Sequence, residues 1–100
     1  MSEYRWMSYA AAAAYMPEAK ARKVSEVARS QRGFMGQYRQ AQTPRHMRLR
    51  PVRGYKQTWG QRRHGFIKRH LAQYAKKKTR RRWLALIMWA YMPAGAAPAA

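Results

Sequence analysis

Beyond Glu26 the sequence has no carboxylate side chain, and none of its 100 residues is cysteine. Without cysteine there are no disulfides, zinc fingers or thiol chemistry. The three acids, Glu3, Glu18 and Glu26, all fall within the first 26 residues, which leaves little for acid–base catalysis in a shaped pocket. His46, His64 and His70 lack the spacing of a helical metal pair, and no acid or cysteine stands near them to complete a shell. Neither GxxxxGKS/T nor GxGxxG occurs, so no standard phosphate cradle is present. The sequence therefore predicts no enzyme, no metal and no cofactor.

Large aliphatic side chains are also scarce. Leu, Ile, Val and Phe total eleven, against eighteen Ala, seven Tyr and seven Met. Low content of those four residues with high net charge is the signature of a chain that does not fold alone. Long apolar runs are missing as well. The longest, Trp83 to Met92, is ten residues, against the roughly twenty needed to span a bilayer. Membrane association is thus disfavoured. Glu3 and only five consecutive alanines (Ala10 to Ala14) make the N-terminus a poor secretory signal, and a single Arg before Lys20 makes it a poor transit peptide.

What the chain has instead is positive charge. It carries 22 Lys and Arg for a formal net charge of +19, and eighteen of those bases follow Glu26. The charge is blocked: near-neutral over 1–19, strongly cationic from Lys20 to Arg82, and uncharged over 83–100. Uncompensated cations at this density call for a polyanionic partner, of which nucleic acid is the commonest.

The blocks suggest five segments. Residues 1–16 form an aromatic, Ala-rich anchor; 17–32 a basic amphipathic helix with Pro17 in its first turn and a stripe of Ala21, Val24, Val27 and Ala28. Residues 33–60, punctuated by Gly33, Gly36, Pro44, Pro51, Gly54 and Gly60, read as an extended basic arm. Residues 61–92 read as a basic helix running into an apolar one, and 93–100 as a loose tail. The expected fold is mainly α with extended irregular segments. Two or three helices, at about 17–32, 62–78 and 80–92, are joined by the arm with no independent hydrophobic core.

The informative constellation is basic residues interleaved with planar ones. Arg45, Arg48, Arg50, Arg53, Lys56, Arg62, Arg63, Lys68, Arg69, Lys76, Lys77, Lys78, Arg80, Arg81 and Arg82 are candidate phosphate contacts. Tyr55, Trp59, His64 and Phe66 are candidate stacking partners for bases. Trp6, Tyr9, Trp83, Leu84, Ile87 and Trp89, outside the cationic block, are candidate contacts with neighbouring proteins.

The stretch from Arg53 to Trp83 resembles the bacterial-type large-subunit ribosomal protein number thirty-four. The matching features are Tyr55 and Gln57, the run Arg62-Arg63-His64-Gly65-Phe66, Arg69, and the Lys76 to Arg82 cluster. The Pro-Ser that follows the family's Tyr-Gln is absent, and the spacing between His-Gly-Phe and the basic cluster is several residues short. The resemblance covers about a third of the chain and implies an rRNA-bound helical hairpin. The resulting expectation is a structural RNA-binding protein of a ribonucleoprotein particle, a ribosomal subunit ordered by rRNA and protein neighbours. The aromatic, Met-rich ends point to a mitochondrial or other organellar ribosome. The rival readings are a virion or nucleoid protein that condenses DNA, and a membrane-surface protein docked through 76–92.

Overall fold

Short polar side chains start four of the helices. Ser8 accepts from the Ala11 N–H (3.1 Å) and opens α1, Tyr9–Ala13. Thr43, in extended geometry before Pro44, accepts from the His46 N–H and opens α5, Pro44–Leu49. Thr58 and Gln61 form a reciprocal capping box (2.9 and 3.2 Å) ahead of the eighteen-residue α6, Trp59–Lys76. Thr79 accepts from the Arg82 N–H and opens α7, Arg80–Ile87. Between these lie α2 (Met16–Ala21), α3 (Glu26–Arg29) and α4 (Phe34–Ala41). The computed structural model describes residues 3–100, so Met1 and Ser2 of the expected anchor lie outside it. Among the described residues there is no strand, only an antiparallel bridge between Pro51 and Thr58 that closes a loop over 51–58, with Gly54 at φ 83°.

The segmentation differs from expectation at three places, each for a local reason. The predicted 17–32 helix is broken, because Lys23 (φ 55°) and Ser25 (φ 53°) adopt left-handed conformations between α2 and α3. This turns Val24 and Ala28 inward and leaves Val27 81% exposed, so the apolar stripe does not act as one face. The arm expected over 33–60 holds α4 and α5. Pro44 starts a helix there instead of interrupting one, since the first helical position needs no N–H donor. Gly33 permits a close crossing: a Cβ there would lie 1.9 Å from the Val27 carbonyl oxygen. The apolar helix stops at Ile87, short of 92. Ala90 (φ 57°) turns the chain there, and the Tyr91 N–H returns to the Leu86 carbonyl.

The expectation of a chain without a core of its own is wrong. Among the described residues nineteen hydrophobic ones are buried, and twelve of them are Ala, Met, Trp or Tyr. Counting only Leu, Ile, Val and Phe misses the material from which this interior is built. Phe34 is its hub, with ring centroids 4.8 Å from Trp89, 5.7 Å from Tyr38, 5.9 Å from Trp6 and 6.1 Å from Trp59. The radius of gyration, 12.8 Å, matches the roughly 13 Å of a folded chain of this length, against about 30 Å unfolded. The self-repulsion of a +19 chain is met by this aromatic packing and by cations turned into useful contacts.

Arg63 is the clearest such contact. It is 1% exposed and sits on the inner face of α6 with Trp59, Ile67 and Tyr74. Its Nε donates to the Trp89 carbonyl (2.7 Å) and Nη1 to the Tyr4 carbonyl (2.9 Å); Nη2 donates to the Arg5 and Ala90 carbonyls (2.9 Å each). The Trp6 ring lies against the guanidinium, 3.9 Å from centroid to Cζ. Burial pulls its pKa down to about 10, opposed by Glu3, Tyr38 and Tyr91, so it stays protonated at neutral pH. Residues 4–7, the N-terminal strap, are fastened twice more. The Met7 N–H donates to the Ala90 carbonyl, and the Tyr38 hydroxyl donates to the Met7 carbonyl (2.6 Å). Burial pushes the Tyr38 phenol above its ordinary pKa, with Arg63 opposing.

Candidate nucleic-acid interface

Away from the strap, α3, the 51–58 loop and the packed pair α6 and α7 border a groove of about 1240 Å³. Its cations come from every side: Lys23 and Arg32 around α3, Arg50 and Arg53 at the loop, Arg62 on α6, and Arg81 and Arg82 on α7. Glu26 is the single carboxylate lining it among the described residues. The apolar part of the wall includes Val24, Val27, Val52, Tyr55 and Phe66. The groove is cationic, aromatic and open. Comparison with protein-family models, with curated proteins and with solved structures finds no match to this chain.

Arg62 is the structural centre of the aromatic wall. Its Cζ lies 4.7 Å from the centroid of Tyr55, 5.8 Å from Phe66 and 5.9 Å from Trp59. Three rings thus hold one guanidinium at the groove edge, with no carboxylate bound to it. Arg50 is anchored from the other side, by Nε to Gln37 Oε1 and Nη2 to Gln40 Oε1 (2.8 Å each). Arg81 donates to the Arg22 and Lys23 carbonyls, and Arg82 to the Gln73 carbonyl (2.7 Å), so each covers acceptors at a helix end. His70 also lines the groove. Burial holds its imidazole below its ordinary pKa, a hydrogen bond with Gln73 opposes this, and neighbouring Arg69 adds to it.

The candidate phosphate contacts divide. Arg50, Arg53, Arg62, Arg81 and Arg82 line the groove. Arg45, Lys56, Lys68, Arg69, Lys76, Lys77 and Lys78 are exposed but outside its lining. Arg48 lies on another face, 3.6 Å from Glu3. Two assignments need correction. Arg63 cannot reach phosphate, because it is enclosed and its donors are committed to backbone carbonyls. Arg80 is held by Glu18 in a two-point pair (2.7 and 2.8 Å) and also donates to the Pro98 carbonyl, so it anchors the tail. The Arg80 hydrogen bond holds the Glu18 carboxyl below its ordinary range, and the same bond raises Arg80.

Of the four candidate stacking residues, Tyr55 alone presents an open ring, at 61% exposure. Trp59 is buried in the core. His64 lies against Tyr4, with centroids 4.8 Å apart, away from the groove. Phe66 stacks on Trp89 (4.3 Å, 11°), and the Arg69 guanidinium lies over its ring at 4.6 Å. The side chains assigned to neighbouring proteins serve this chain's own interior. Trp83, Leu84, Ile87 and Trp89 are buried; Trp6 and Tyr9 pack half-buried against Tyr38.

Lys23, Arg32 and His70 are groove residues that no sequence pattern marked, and Val27 was marked only as part of an apolar helical stripe. Their convergence depends on the left-handed break before α3, which has no glycine or proline to announce it. Among the described residues no His, Cys, Asp or Glu cluster suits a metal, and no helix is long and apolar enough to cross a membrane.

Proposed function

We propose that the chain is a structural RNA-binding protein, a component of a ribonucleoprotein particle. The observation that carries this reading is the cationic groove, where seven Lys and Arg side chains converge on an aromatic wall beside one carboxylate. Cations of that density neutralise phosphates, and planar side chains among them accept bases. The demonstrated core removes one argument for an enclosing particle, since the chain does not need a mould to fold. Assignment to a ribosome, organellar or otherwise, rests on the resemblance of residues 53–83.

The test is release from the native particle. RNase should free the chain and DNase should not. Release by DNase alone would transfer the assignment to a DNA-condensing protein, and flotation with anionic vesicles after nuclease treatment would transfer it to a membrane surface. Binding should also weaken steeply with salt, the slope of log K against log salt reporting the number of phosphates neutralised.

A further inference from the structure

We propose that the groove takes a single-stranded RNA segment, with an unpaired base stacked on Tyr55 and the adjoining phosphates on Arg53, Arg62 and Arg32. This rests on the RNA-binding reading and specifies the form of RNA. Size argues first: about 1240 Å³ exceeds the roughly 300–1,000 Å³ of small-molecule pockets, so the groove suits a stretch of polymer.

Surface chemistry argues second. The exposed large hydrophobic residues among those described are Val27, Leu49, Tyr55 and Met92, and Val27 and Tyr55 both line this groove. A duplex offers phosphate and sugar at its periphery and keeps its base faces stacked inside. It would answer the arginines and leave Val27 and Tyr55 wet. A single strand offers charge and flat apolar faces together. The wall is also set in advance, because Arg62 already lies over the Tyr55 ring, fixing both at the groove edge. An acidic peptide would match the charge, but carboxylates give the aromatic wall nothing to stack.

The experiment compares the full chain's affinity for a fluorescent single-stranded oligoribonucleotide with its affinity for an RNA duplex of equal length, at one salt concentration. Single strands should bind at least about tenfold more tightly. Tyr55→Ala should weaken single-strand binding by about five- to a hundredfold and leave duplex binding unchanged. Val27→Ser should act in the same direction more weakly. Both side chains are exposed, and retention of the thermal midpoint confirms that each variant folds. Equal affinity for duplex and single strand, or unchanged single-strand binding by Tyr55→Ala, overturns the groove assignment and leaves the RNA reading standing. Failure to bind either RNA at low salt overturns the RNA reading itself. A matched single-stranded DNA bound more tightly than the RNA overturns the choice of RNA.

Discussion

Arg62 and Arg63 are neighbours in sequence and opposites in the fold. Arg62 lies at the edge of the groove against three aromatic rings. Arg63, about 100° further round α6, is sealed inside with four backbone carbonyls as partners. One is free to serve a ligand; the other closes the protein. In a chain with three carboxylate side chains, the buried cation is hydrogen-bonded by carbonyl dipoles from residues 4, 5, 89 and 90, with Glu3 acting from further off. Positive charge here is not one property. The helix face decides whether a base binds something else or builds the interior.

The comparison breaks most visibly at the inner position. Arg63→Met should destabilise the fold by about 3–5 kcal/mol, since it removes four hydrogen bonds and strands the Tyr4, Arg5 and Trp89 carbonyls, while Ala90 keeps the Met7 N–H. Thermal or urea denaturation measures this. A loss under about 1 kcal/mol would refute the keystone role. Arg62→Ala should reverse the pattern. Stability should fall by no more than about 1 kcal/mol, while the salt slope for RNA drops by about one unit.

Smaller effects test the edges of the contrast. Glu26→Gln removes the groove's one carboxylate and should tighten RNA binding about two- to fivefold, the gain shrinking as salt rises. The same change should leave the thermal midpoint nearly unmoved. His70 gives the smallest signal. Its folded-state pKa is depressed below 6.5, so the unfolded chain takes up a proton first as pH falls. Its contribution is therefore complete above pH 6.5 and is lost on acidification towards the folded value. His70→Phe should flatten that part of the stability–pH curve; a curve of unchanged slope would remove His70 as its cause.

Of the helical framework, α6 and the start of α7 were legible, while α1, α4 and α5 were not. Thr58 with Gln61 and Thr79 are caps with a mechanism, and α6 lies within a few residues of its expected span. Phe34, Met35 and Tyr38, the inner face of α4, were hidden because Gly33 and Gly36 read as loop punctuation. Gly33 is there for a close crossing, a tertiary fact that composition does not carry. Arg63 was readable in principle: it stands four residues after Trp59 and four before Ile67, on the apolar side of α6. Its charge argued it outward, and only the position of the strap explains why it turns in. At the groove, Arg53, Tyr55 and Arg62 came from local interleaving. Lys23, Val27 and Arg32 arrive through the left-handed turn at Lys23 and Ser25.

The strap has a consequence in time. Met7 and its partner Ala90 are 83 positions apart, so in synthesis the earlier residue waits for the later one. At roughly 5–20 residues per second, translation separates them by about 4–17 s. Until Trp89 and Ala90 are made, Arg63 lacks two of its four acceptors. The enclosure of this guanidinium is therefore one of the later events in the folding of these residues, completed only when the segment carrying Trp89 and Ala90 joins the strap.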